Sequence, residues 1–323
     1  MDIYFEEQYA KLYENENEKV EVFEYKNELG RGRNIFLKRK ILSQNLKEQY
    51  FDIITPYGYG GPIFEVNDED KEKFIEKYFI EFSKYCKENN IVSEFIRFHP
   101  LLENYKSVKD NYKIEYISDT VYMNLFSKEI ILKNISSKAR NMIRKAEKNN
   151  LIFKIDESWE TIENFKSLYK ETMIKNNANK IYYFDNDYYK KLYDYRNKIK
   201  LVNVIKENEI ISTSLILVGD KILHYHLSAN TEKGYKNAAN NFLLYSVALW
   251  GNKNGYEKFH LGGGYGGNES PLFKFKKSMN ENGVIPFYIG KKIWNEEVYK
   301  ILVKEKKLIV EENKTNYFPL YRI

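Results

Sequence analysis

KLVNVIKENEIISTSLILVGDKILHYHLSA, residues Lys200–Ala229, reads as three strands in succession. Lys200–Ile205, Glu209–Val218 and Lys221–Ala229 are each rich in β-branched and aromatic residues, the side chains that fit a pleated, half-buried surface. Val218-Gly219-Asp220-Lys221 has the composition of a tight hairpin turn, so the second and third strands pair antiparallel. Downstream, the spacing predicts a helix over Asn241–Asn254, a strand over Lys258–Leu261, a short helix over Pro271–Met279 and a strand over Val284–Ile289. Mostly antiparallel strands with a late strand–helix–strand unit give a mixed α/β layer architecture.

Upstream the same reasoning predicts helices over Trp159–Lys175 and Asp187–Tyr195, and one that Ser136 or Ser137 caps and that runs to about Asn149. The first half opens with strands Val20–Tyr25, Asn34–Leu42 and Tyr50–Thr55. A helix follows, with Asn67 or Asp68 as its cap and Phe74, Ile75, Tyr78, Phe79, Phe82, Tyr85 and Cys86 at helical spacing. Ser93–Phe98 and Lys113–Tyr122 are further strands. A chain of 323 residues, against about 100–200 for a typical domain, is expected to form two, divided near residue 135 where the Ser136 helix begins.

Composition narrows the function class. Hydrophobic residues are 43% and charged residues 30%, which is globular, and no apolar run approaches the roughly 18–20 residues that span a bilayer. The opening MDIYFEEQYA carries acid where a secretory signal is basic and then apolar, so a soluble, cytoplasmic protein is expected. The single cysteine, Cys86, falls on the apolar helix face and is expected to be an inert core thiol. The net charge of +6 permits an anionic partner, but the abundance of Lys, Asn, Tyr and Ile together weakens that reading.

Five segments carry chemistry. Thr55-Pro56-Tyr57-Gly58-Tyr59-Gly60-Gly61-Pro62 ends a strand with a glycine-rich loop that can approach a ligand, which makes Tyr57 and Tyr59 candidate lining residues. Arg97-Phe98-His99-Pro100 ends another strand with Arg97 and His99 on one face, suited to a phosphate or carboxylate. Arg140 and Arg144 share a helix face near a positive helix N-terminus, where an anion is favoured. In His224-Tyr225-His226 strand alternation puts both imidazoles on one face; no third metal ligand accompanies them, so no metal is expected, and His226 or His99 could take a proton from a substrate amine. Gly262, Gly263, Gly264 and Tyr265 follow the Lys258–Leu261 strand in a loop whose backbone amides can hold an anion or an acyl carbonyl, and Lys274, Lys276 and Lys277 lie beside it. The loop lacks both Gly-Lys-Ser/Thr and G-x-G-x-x-G, which argues against ATP and NAD.

The order of these motifs resembles the FemABX-like branch of the GNAT acyltransferase superfamily: Pro-Tyr-Gly-Tyr-Gly-Gly-Pro, Arg-Phe-His-Pro, Ser-Ser-Lys-x-Arg-x-x-Ile-Arg-Lys, Tyr-His-Leu-Ser-Ala, the helix after Ala-Ala-Asn-Asn, then Leu-Gly-Gly-Gly and Leu-Phe-Lys-Phe-Lys. The match runs from about Phe51 to Met279. It implies two GNAT-like domains around a cleft, 1–135 and 136–290, each a mostly antiparallel sheet flanked by helices, with 291–323 returning to the first. It implies transfer of an aminoacyl or acetyl group to an amine of a peptidoglycan or surface-polysaccharide precursor that is nucleotide- or lipid-linked. The implied donor is aminoacyl-tRNA or acetyl-CoA, with no tightly bound cofactor and no DNA partner. Lys276 matches the lysine of the family's aromatic-x-Phe-Lys motif, Asn240 and Asn241 fall at the donor position, and Arg97, Arg140 and Tyr57 are looser matches to the acceptor pocket. The pyrophosphate-binding turn of CoA-dependent enzymes, Q/R-x-x-G-x-G/A, is replaced by Lys233-Gly234-Tyr235-Lys236-Asn237-Ala238-Ala239, which puts acetyl-CoA in doubt. The alternatives are an acetyl-CoA-dependent acetyltransferase of an amino sugar or amino acid, and a non-catalytic RNA- or sugar-nucleotide-binding protein.

Overall fold

The structure, a computed structural model, describes residues 1–264, 266–306 and 317–323. Its strands are β1 (Glu18–Asn27), β2 (Gly30–Lys40), β3 (Phe51–Ile54), β4 (Ile63–Val66), β5 (Ile91–Arg97), β6 (Lys113–Asn124), β7 (Ile152–Asp156), β8 (Ile199–Lys206), β9 (Glu209–Val218), β10 (Ile222–Asn230), β11 (Lys258–Gly262) and β12 (Val284–Ile293). Its α-helices are α1 (Glu7–Ala10), α2 (Lys71–Glu88), α3 (Lys128–Asn134), α4 (Ser137–Lys148), α5 (Ile162–Lys175), α6 (Asn186–Asp194), α7 (Glu232–Lys236), α8 (Ala239–Lys253), α9 (Pro271–Met279) and α10 (Glu296–Glu305).

The chain folds as two compact units, one of Tyr4–Ile117 with Phe287–Ile323 and one of Ser118–Pro286 with Met1–Ile3. The breaks fall inside β6 and β12, whereas the sequence reading put them at 135/136 and 290/291. The first break comes early because the end of β6 pairs with β11, Met123 opposite Phe259, and because Ile131 of α3 shares a core with Ile143 of α4.

In the first unit β1 and β2 form an antiparallel hairpin, β2 continues to β3 and β4, β3 runs parallel to β5, and β5 pairs antiparallel with β12. Phe74, Tyr78, Phe82 and Cys86 of α2 pack against Phe36, Ile53 and Ile96 of this sheet. Cys86 is fully buried and burial pushes its thiol up, the inert role expected of it. The expected helix cap is a correction: Asn67 opens a 3₁₀ turn over Asp68–Asp70 without a side-chain hydrogen bond, and α2 starts only at Lys71. In the second unit β9 and β10 form the expected hairpin, with Leu223 opposite Val218, and the order continues antiparallel through β8 to β7 and, on the other side, from β10 to a parallel β11 and then to β6. Ser136 caps α4, its Oγ accepting from the Ala139 amide at 3.2 Å. α5 starts at Ile162, three residues later than Trp159, because Trp159 sits at φ +60° and Asp156 takes the Thr161 amide.

One core group in the first unit is a carboxyl. Glu94 is 2% exposed and accepts from Asn34 Nδ2 (3.0 Å), Tyr112 Oη (2.9 Å) and Trp294 Nε1 (3.2 Å), all neutral donors. Burial raises it from 4.5 to about 7 despite those three bonds. The folded carboxyl therefore keeps its proton to higher pH than the unfolded one. Its contribution to stability is full below the ordinary carboxylate range and is lost as pH rises through about 7. The melting temperature of the parent is expected to fall across that window, and Glu94→Gln to flatten the slope; an unchanged slope would assign the titration to another group.

Candidate active site

The site begins with two strands that part. β10 and β11 pair in parallel only at Ile222/Lys258, Leu223/Phe259 and His224/His260. Beyond His224, β10 stays on β9 and β11 stays on β6, so a gap opens between them. Both strands carry a β-bulge at this level. Tyr225 faces Ile216 while Leu227 faces Leu215, which leaves His226 as the extra residue; His260 faces Tyr122 while Gly262 faces Val121, which leaves Leu261 extra. Bulges increase local twist and bend the strand, which keeps the two apart.

Lys276 lies at this gap. It projects from α9, whose start is fixed by Ser270 Oγ accepting from the Phe273 amide and by Pro271 in the first turn. Its Nζ donates to the Gly263 carbonyl at 2.7 Å and stands 5.8 Å from the centre of the Tyr225 ring. The side chain thus touches the end of β11 on one side and β10 on the other. The residue is 8% exposed, and loss of water pulls its ammonium down to about 8. Tyr225 donates to Asn240 Oδ1 at 3.3 Å, and burial pushes its phenol up to about 12. Asn240 also accepts from Ser212 Oγ at 3.3 Å, and Asn241 Nδ2 reaches Met279 Sδ at 3.6 Å. These two side chains tie the first turn of α8 to β9, β10 and α9. No side chain caps that turn, and Ala238 precedes it in a left-handed conformation at φ 57°.

His226 pairs with Tyr188 of α6, its Nε2 3.0 Å from the phenol oxygen. Most of the ring is withdrawn from water, which, with His224 nearby, pushes it down to about 3 and keeps it neutral. His224 instead sets its Nε2 2.8 Å from Asp2 Oδ2. The two histidines have separate partners, because the bulge interrupts the alternation between them.

Against known proteins, no family model matches the chain, and no curated protein matches it by sequence. Solved structures do match. FemX superposes with a TM-score of 0.71 at 13% identity, over 93% of this chain and 94% of that one. The chain has the FemX fold. The C-terminal domain (DUF2156) of a putative lysylphosphatidylglycerol synthetase from Agrobacterium fabrum matches with a TM-score of 0.58 at 13% identity, covering 95% of this chain and 92% of that one. L-PGS from Bacillus licheniformis gives 0.54 at 12%, covering 89% and 88%. The FemX fold is the mixed, mostly antiparallel α/β class that the order of motifs implied.

Within this FemX fold several expected ligand-binding side chains hold backbone instead. Arg97 donates from Nε to the Gly58 carbonyl (3.0 Å) and from Nη2 to those of Thr55 (2.9 Å) and Pro56 (2.8 Å), so it fastens the Tyr57–Tyr59 loop from within. His99 accepts the Leu102 amide on Nδ1 at 3.2 Å and packs, fully buried, against Tyr59. Tyr59 also contacts Tyr4 and Phe287, and Tyr57 packs on Tyr13. Arg140 folds back onto the Leu132 and Ile135 carbonyls at the end of α3, whereas Arg144 stays exposed and reaches only Asn141 within its own helix. The two arginines therefore do not converge on one anion. Tyr265 lies outside the described residues.

The glycine loop, too, is shaped by packing. A Cβ on Gly264 would stand 2.1 Å from Ser270 Oγ and 2.8 Å from the Phe273 amide nitrogen, at the start of α9; one on Gly263 would stand 3.0 Å from the Asp119 carbonyl. Tyr225, Tyr188 and Ser212 are the participants that sequence reasoning passed over. Tyr225 had a signal, the Tyr-His-Leu-Ser-Ala motif. Tyr188 had none, being one tyrosine among 29. Gly264→Ala is expected to lower the melting temperature sharply. Gly266→Ala, at φ +84° with open space around it, is expected to cost about 1 kcal/mol. Equal melting curves for the two would show that α9 does not rest on Gly264.

Proposed function

We propose that the chain is an N-acyltransferase that moves an aminoacyl group onto an amine of a nucleotide- or lipid-linked cell-envelope precursor. The observation that carries this is the Lys276 ammonium held at the gap between β10 and β11, hydrogen-bonded to Gly263 and largely shielded from water, in a FemX fold. When an amine attacks an acyl ester, the new C–N bond forms as negative charge collects on the carbonyl oxygen. The C–O bond to the donor then breaks and the leaving hydroxyl takes a proton. A cation already desolvated and aimed at a carbonyl stabilises that oxyanion with little reorganisation, an effect worth about 10²–10³ in rate for one such donor.

His226 is a poor base for the amine, because an imidazole held near 3 does not retain a proton at neutral pH. Its pairing with Tyr188 suits it to positioning, and the substrate's leaving oxygen is the natural destination of the proton.

The donor reading rests on the segment before α8. Gly234 N donates to Thr231 Oγ1, Tyr235 N to the Thr231 carbonyl, Asn237 N to Lys233 and Ala238 N to Tyr235. These amides close α7 on itself, so they are not open to a CoA pyrophosphate, whereas the first turn of α8 is uncapped and open to an anion. The preference for an aminoacyl ester over acetyl-CoA therefore rests on the glycines that the Lys233–Ala239 turn lacks.

Transfer of radiolabelled amino acid from charged tRNA to amine-bearing precursors, run beside labelled acetyl-CoA, is the test. Lys276→Met is expected to lower turnover by about 10²–10³ while the protein still melts cooperatively; undiminished turnover would remove Lys276 from the chemistry. In the parent, turnover is expected to decline as pH rises through about 8, where the ammonium is lost, and in Lys276→Arg that decline should move beyond the accessible range. Label delivered only from acetyl-CoA would overturn the aminoacyl reading.

A further inference from the structure

The charge of the chain is divided unevenly. The second unit holds 26 Lys and Arg against 19 Asp and Glu, the first 26 against 27, so the surplus belongs to the second alone. Part of it is concentrated on one helix. Lys138, Arg144, Lys145 and Lys148 of α4 are all exposed, and among the described residues none of them is in an ion pair. Arg144 reaches only the Asn141 amide group. The buried side of α4, Ala139, Ile143 and Ala146, is fixed in the core, so these cations stand on a rigid outer face. Elsewhere in the unit some lysines are neutralised, Lys166 by Glu163, Lys191 by Asp187 and Lys200 by Glu157 among them, while others such as Lys170, Lys190 and Lys253 also stand outside any ion pair among the described residues.

One large apolar side chain stands just ahead of this helix pair: Phe126, before the α3 cap, is 61% exposed, whereas Ile152, between the core-facing Leu151 and Phe153, points to the opposite side of the sheet. α3 and α4, both packed on α8, carry the chain from β6 to β7. The basic face is therefore the outer side of the helix layer that covers this sheet.

We propose that the α3–α4 face is a docking surface for an anionic phospholipid membrane, with the α4 cations among the lipid headgroups and Phe126 entering the interface. Lysines on flexible stems suit a diffuse layer of phosphates, each contributing roughly 1 kcal/mol near an anionic leaflet. Residues 127–151 contain no aromatic side chain, so the face lacks the stacking platforms of a single-stranded nucleic-acid site. The docking stands apart from the acyl-transfer reading, since it requires no turnover.

The test is co-sedimentation of the full chain with vesicles of phosphatidylcholine alone and of phosphatidylcholine mixed with phosphatidylglycerol, at low and high salt. Binding is expected to the mixed vesicles only and to weaken with salt. Combined Lys138→Gln, Lys145→Gln and Lys148→Gln should lower the partition coefficient on the order of a hundredfold. Phe126→Ser should reduce the binding that survives salt. A control replacing the ion-paired Lys166, Lys175 and Lys191 with Gln should bind as the parent does. Equal binding to both vesicle types, no binding at low salt, or equal loss in the control would overturn the proposal. So would a face that binds RNA in preference to vesicles and loses that binding in the triple variant.

Discussion

The hydrogen bond from the Lys276 ammonium to the Gly263 carbonyl ties the last turn of α9 to the end of β11, and most of the site is arranged around it. It forms because α9 begins where Ser270 and Pro271 start it, and because Gly264 leaves room for that first turn against the loop. It has space beside it because both flanking strands carry one residue more than their neighbours, and so they part where Lys276 arrives. An amine removed from water loses part of its hold on its proton. Here one carbonyl and the face of one phenol ring replace the solvent. The outcome is a cation of moderate acidity in a fixed place, a property that neither the helix nor the glycine loop has alone.

The arginines show how easily a side chain's destination is misread from sequence. Arg97 and Arg140 stand where an anion could bind, at a strand end and near a helix start, and both donate to main-chain carbonyls that secondary structure leaves without partners. A guanidinium has five donors, and loops and helix ends supply acceptors at short sequence distance. Charge and position suggest a ligand equally well in either case. Only the acceptor's coordinates decide.

Much of the fold was legible. α9 spans Pro271–Met279 as its cap, its proline and its apolar spacing indicate, and the β9–β10 turn is where Gly219-Asp220 places it. Where reading failed, a physical reason can be given. α3 is seven residues long, too short for periodicity to stand out, and its end coincides with the cap of α4. β7 and β4 are short strands that take their conformation from a partner, β8 and β2, and not from their own composition. α10 begins with Asn295 as cap and two acids, a signal present in the sequence and overlooked. The bulges are the costly omission. Strict alternation put His224 and His226 together; one inserted residue redirects everything after it, and nothing in the residue types at 225–227 announces it.

The division of the chain inside β6 and β12 bears on the order in which the protein can be made. Nearly all of the second unit lies in one uninterrupted stretch, whereas the first is assembled from a beginning and an end separated by some 170 residues of synthesis. Until β12 emerges, β5 has one partner instead of two, and until Tyr321 and Arg322 emerge, the buried Asp52 carboxylate has only Arg39 beside it. A nascent chain therefore carries a strand edge open to other strands throughout the time that the second unit takes to form. Tyr321 and Arg322 close a unit whose strands β1 to β5 were made well before them.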